Sequence, residues 1–115
     1  MKINRENDID EVMFLLRLTI TNQRFDLIKN ELENITNFEI NKKGAHVIII
    51  IDIEDKDIDQ LDALLTFVKE YKLQKIDIFC GITSSYDLGG FTFPQHFIYF
   101  ANKLNCEVQF SYVIA

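Results

Sequence analysis

Between Ala45 and Ile53 the chain reads AHVIIIIDI. Five isoleucines and one valine fall within these nine residues. β-Branched side chains lose rotamer freedom on a helix and pack well on a pleated surface, so the run belongs in a sheet. Because it is apolar at both odd and even positions, it predicts a central strand with both faces covered.

The neighbouring segments supply the rest of that sheet. Val12, Phe14, Leu16, Leu18 and Ile20 alternate through EVMFLLRLTI, the period of two of a strand with one face in the core. Ile76, Ile78, Cys80 and Ile82 alternate in the same way. In CEVQFSYVI, Cys106, Val108, Phe110, Tyr112 and Ile114 point one way, and Glu107, Gln109, Ser111 and Val113 the other. Phe38 and Ile40 open a short strand, followed by KKG as a three-residue hairpin loop in which Gly44 takes a positive φ.

Helices separate these strands. Thr21-Asn22 are good capping residues, and Phe25, Ile28, Leu32 and Ile35 then recur at steps of three and four. A second helix opens at Asp57, with Gln60 completing a capping box and Ile58, Leu61, Leu65 and Val68 as its apolar stripe. Phe97, Phe100, Ala101 and Leu104 line a third. The order is βαββαβ followed by αβ. It predicts an α+β fold with a ferredoxin-like βαββαβ core, an added C-terminal αβ unit and one mainly antiparallel sheet. With the first two helices on one face, Met13, Leu15, Ile48, Ile50, Phe79 and Val113 display a second face too apolar to be left in water. Either the third helix folds over it or a partner does, a second copy of the chain included.

At 115 residues, 48% of them hydrophobic, the chain is sized and composed for a single globular domain over residues 1–115 and lies far from the signature of disorder. Its longest apolar run, Val47 to Ile51, is too short for a transmembrane helix, and the polar, acidic start does not read as a signal peptide, so a cytoplasmic location is expected. The net charge of -6 disfavours nucleic acid and anionic membranes and favours a basic protein partner. From Asp52 to Asp62, six acids (Asp52, Glu54, Asp55, Asp57, Asp59, Asp62) stand against Lys56 alone, a charge of -5 in eleven residues. This segment is the candidate docking site for such a partner.

Other motifs are better read as structure. Gly89-Gly90 precedes the third helix, but no phosphate-loop spacing or nearby cation accompanies it, and Thr92, Pro94 and Gln95 suit a turn and helix cap. Asp55 to Asp59 places acids at alternate positions as a calcium loop does; Gln60 and Thr66 then stand where that loop needs glycine and glutamate. His46, His96, Cys80 and Cys106 have no ligand or catalytic spacing, so no metal, cofactor or enzymatic activity is expected. Phe79 alone on the second face does not make a base-stacking platform. Ser84, Ser85, Tyr86 and Asp87 form a polar loop that would serve as a small-ligand site in a regulatory domain.

From Tyr86 to Tyr112 the chain resembles the ending of a family of small bacterial domains: a Gly-Gly turn, Phe91-Thr92-Phe93-Pro94, an aliphatic and aromatic helix, and a strand with a late tyrosine. The family's tryptophan-containing middle section is missing. In size, charge and architecture the chain is also similar to immunity proteins encoded beside bacterial polymorphic toxins. That resemblance implies a non-enzymatic protein that neutralises a basic toxin domain by binding it. The alternative is a ferredoxin-like regulatory domain that forms a homodimer through the open sheet face and binds a small ligand.

Overall fold

The computed structural model describes the backbone of residues 9–84 and 95–114 and the side chains of 12–83 and 95–111. Five strands, β1 (Ile9–Thr21), β2 (Glu39–Lys43), β3 (His46–Asp52), β4 (Ile76–Ser84) and β5 (Glu107–Ile114), form one sheet in the order β2-β3-β1-β4-β5. β1 pairs antiparallel with β3 and β4, and β2 with β3; β4 and β5 are parallel. The sheet is therefore mixed, because β5 is reached through a helical crossover from its neighbour.

All three helices, α1 (Asn22–Ile35), α2 (Ile58–Glu70) and α3 (Gln95–Leu104), contribute to one core on one face of the sheet. That core takes Val12, Phe14, Leu16, Leu18 and Ile20 from β1, Val47, Ile49 and Ile51 from β3, and Ile78, Cys80 and Ile82 from β4. Phe97 of α3 lies with its ring 4.4 Å from that of Phe14. Of the two alternatives for covering the second face, the one in which α3 folds over it does not hold: α3 sits beside α2 on the first. The physical reason is the parallel pairing of β5 with β4, which keeps the connecting helix on one face of the sheet, where α3 buries Phe97 and Phe100 against core already built by β1 and β4.

Local chemistry explains the boundaries. Thr21 caps α1 by accepting from the Arg24 amide, and the capping box of α2 is complete, with Asp57 and Gln60 each accepting from the other's backbone N–H at 2.9 Å. α2 buries Leu64 and Phe67 in addition to Leu61, Leu65 and Val68, whereas Ile58, at its first position, is exposed. The β2–β3 hairpin turns on two residues, Gly44 and Ala45, and not on the three of KKG. Gly44 has φ +61°, the left-handed value that the first loop position of such a turn requires. Phe38 stays out of β2 and sets its ring edge-on to Phe25, 6.2 Å between centroids. β3 occupies an internal position, but only Val47, Ile49 and Ile51 are sealed; Ile48 and Ile50 are half-buried, and no described element packs over them.

Candidate functional site

The acids from Asp52 to Asp62 divide by what the fold asks of them. Asp52 ends β3 and its Oδ1 accepts from the Glu54 amide at 2.9 Å, closing a small turn. Buried Ile53 anchors that turn, its N–H donating to the carbonyl of Phe14. Asp57 is the cap of α2, and Asp59 lies in the first turn, where the helix dipole favours a negative charge. Asp55 and Asp62 are exposed, and neither side chain is needed for a cap or turn hydrogen bond. The six residues lie together at the end of the sheet where β3 finishes and α2 begins, all exposed except half-buried Glu54.

Asp52 also belongs to the sheet face that the helices leave uncovered. In register it stands opposite Leu15 of β1, Leu15 opposite Phe79 of β4, and Phe79 beside Gln109 of β5. The next row runs Glu39, Ile50, Arg17, Asp77, Glu107. Met13, Leu15, Ile48, Ile50 and Phe79 are half-buried and form the apolar part of this face. Val113 shares it by register, but its side chain lies outside the described residues.

At the centre of the same face is a cluster that the sequence did not reveal. Arg17 donates from Nε to Asp77 Oδ1 at 2.6 Å and from Nη2 to Asp77 Oδ2 at 2.9 Å. Nη2 also reaches Gln109 Oε1 at 2.8 Å. The guanidinium carbon sits 5.2 Å from the centroid of the Phe79 ring, close enough for a cation–π contact. On its other side Phe79 leans over Gly81, where a Cβ would come within 3.0 Å of the ring edge. Two-point pairing fixes the guanidinium plane, and the missing side chain at position 81 lets the ring lie along the strand. The result is an ordered surface, apolar with a locked polar centre, whose acidic margin is Asp52.

The signal for this cluster was parity. Arg17, Asp77 and Gln109 occupy the same alternate positions as Leu15, Phe79 and Ser111, but a pairing across 60 residues becomes visible only once β1 and β4 are known to be neighbours.

The remaining candidates separate from this surface. Cys80 is fully buried among core side chains, and burial pushes its thiol up to about 12. Cys106 precedes β5, half-buried, and its thiol is raised by burial and by the nearby charge of Asp77. Both thiols are free and held protonated at neutral pH, the opposite of what a nucleophile requires. His46 and His96 are exposed on different elements. Among the described residues, no group of three or more His, Cys, Asp or Glu is placed to hold a metal ion, and no helix is long and apolar enough to cross a membrane. The Ser84 side chain, and Ser85, Tyr86 and Asp87 with the Gly89-Gly90 turn, lie outside the described residues. Compared with protein-family models, curated proteins and solved structures, the chain matches none.

Proposed function

We infer that the chain is a non-enzymatic protein-binding domain whose open sheet face and acidic margin dock a basic protein. The observation that carries this reading is continuity. The apolar strip of Leu15, Ile50 and Phe79 has no described helix above it, and it runs at Asp52 into a segment carrying five of the chain's six net negative charges. An apolar surface with a single-sign rim suits a partner of the opposite charge, the rim speeding encounter and the strip holding the complex. In its most concrete form the domain is a cytoplasmic immunity protein that neutralises a basic bacterial toxin domain. The Asp52 to Asp62 segment is then its electrostatic contact.

A second reading draws on the strand order. The order β2-β3-β1-β4, with antiparallel pairing and two helices on one face, supports reading this part as a ferredoxin-like core, with α3 and β5 as an added unit. In that reading a second copy covers the open face of a regulatory domain.

One experiment separates the two. The products of the genes flanking this chain's own are purified, and any basic protein among them is titrated with the parent chain and with a D55K/D62K variant, at low and moderate salt. Both substitutions spare the cap and the Asp52 turn. The expected result is a one-to-one complex whose association slows several-fold in the variant and loses most of its salt dependence. A chain that is a stable dimer and forms no such complex rejects the first reading in favour of the second.

A further inference from the structure

The end of the sheet opposite the acidic segment is built differently. There β1 finishes, α1 starts, the β2–β3 hairpin turns, and the α2–β4 connection leads into β4. Backbone hydrogen bonds tie these pieces together: Asn22 N–H to Ala45 O, Thr19 N–H to Lys75 O, and Leu73 N–H to Val68 O. Five of the chain's twelve lysines and arginines, Arg24, Lys42, Lys43, Lys72 and Lys75, are gathered here by the fold although they are scattered in sequence. In a molecule with a net charge of -6, the described residues thus concentrate cations at this end.

Between these elements lies an open cleft of about 410 Å³. Arg24, His46, Lys72 and Lys75 line it together with Thr21 and Tyr71, and no carboxylate among the described residues does. Two of the cationic residues have their backbone held in place. Lys72 adopts φ +53° in a turn closed by its own N–H donating to Lys69 O, and Lys75 is fixed by the bond from Thr19. The Arg24 guanidinium is fixed as well, its Nη2 donating to the Tyr71 carbonyl, while the Tyr71 hydroxyl donates to Glu31. The ordering that a ligand would otherwise impose is done in advance for the Arg24 guanidinium and for the backbone that carries the two lysines.

We propose that this cleft binds a small phosphate-bearing anion, through Lys72, Lys75 and the free edge of the Arg24 guanidinium. Three cationic side chains, one from the first turn of α1 and two from the α2–β4 connection, with no carboxylate among the described lining residues, match the several oxygens of a phosphate or pyrophosphate group. The volume falls within the range of small-molecule sites and leaves room for the organic part of a phosphate ester beside Ile20 and Tyr71. The first turn of α1 carries no acidic residue and adds a favourable dipole, although the cations and the cleft carry the assignment. This site lies apart from the open sheet face and is independent of the protein-binding reading.

The test is a titration of the isotope-labelled full chain with sodium pyrophosphate, followed by amide NMR, against sodium chloride at matched ionic strength. Inorganic phosphate and sulfate are run alongside. Saturable shifts confined to residues 19–24, 46 and 71–75 are expected, with pyrophosphate tighter than phosphate. The K72Q/K75Q variant should weaken binding by about tenfold or more, since two charge-assisted contacts are lost. Shifts that do not saturate, that chloride reproduces, or that persist in the folded variant would overturn the assignment. The parent titration decides by itself if the variant proves poorly folded.

Discussion

β1 presents two faces from one backbone, and they are held by different physics. On the helix side Val12, Phe14, Leu16, Leu18 and Ile20 are between 0 and 4% exposed. On the other, Met13, Leu15, Arg17 and Thr19 remain half-buried. Strand propensity and hydrogen bonding are common to both, so the contrast comes from what lies above. One face is filled by close-packed side chains from three helices and depends on volume. The other depends on a bidentate ion pair, a ring over a glycine and a margin of charge, and it keeps its apolar atoms accessible. A surface of the second kind can release water to a partner without first being unpacked.

The comparison is tested most severely at Phe14, which is fully buried with its ring tilted against that of Phe97. Phe14→Ala should cost about 3–5 kcal/mol in urea unfolding, the transfer and cavity terms together. A loss below about 1 kcal/mol would mean that the helix face is no better packed than the open one.

Cys80 sharpens the same side by pH. Burial pushes its folded thiol up to about 12 from an ordinary value of 9.0. A raised value means that the neutral form is favoured in the native state, so its contribution is complete below pH 9 and is lost as pH rises from 9 to 12. Parent protein should lose more stability between pH 8 and pH 11 than Cys80→Ala does, compared by urea midpoints. Equal losses in the two proteins would place the thiol in water.

On the open face, a double-mutant cycle of Arg17→Ala and Asp77→Ala should give a coupling of about 1 kcal/mol, decreasing with added salt. The pair is a quarter to a third exposed, which keeps it well below the cost of a core truncation. Coupling of 3 kcal/mol or more would instead mark a buried pair, and hence a covered face.

Much of this contrast could be read from residue alternation. The parity of β1 and β4 assigned every buried position on those strands, while β3, apolar at odd and even positions alike, was expected to be covered on both faces and is sealed on one; Thr21 and Asp57 announced their helices because the capping chemistry is local. The position of α3 was not legible, since an amphipathic helix shows that it buries a face but not against which layer; that depends on the long-range choice of β5 to pair with β4. For the same reason the acidic segment was visible as a run, while the Arg17–Asp77–Gln109 cluster and the cationic cleft needed strand neighbours to bring distant residues together. Val108 and Phe110 show a limit of periodicity: both point to the helix side in register with Ile78 and Cys80, yet at the sheet edge they are 43 and 53% exposed.

The smallest effect on stability, and the most informative about function, is expected at Ile50. It is half-buried on the open face, opposite Glu39 of β2 on one side and Arg17 of β1 on the other. A lysine there gains a cross-strand carboxylate in Glu39, and the charge it meets in Arg17 is already paired with Asp77. Ile50→Lys should therefore change unfolding free energy by no more than about 0.5 kcal/mol, the range of an ordinary surface substitution. The same change places a desolvated cation in any interface formed on this strip and should abolish docking of a basic partner. Urea unfolding and light-scattering mass, measured on parent and variant, divide the outcomes. An unchanged monomer with near-parent stability that no longer binds the basic partner supports a docking face. A dimeric parent that the substitution splits into monomers assigns the face to a second copy. A loss above about 2 kcal/mol in a protein of unchanged mass would show that part of the chain itself covers Ile50, and the contrast between the two faces of β1 would fail.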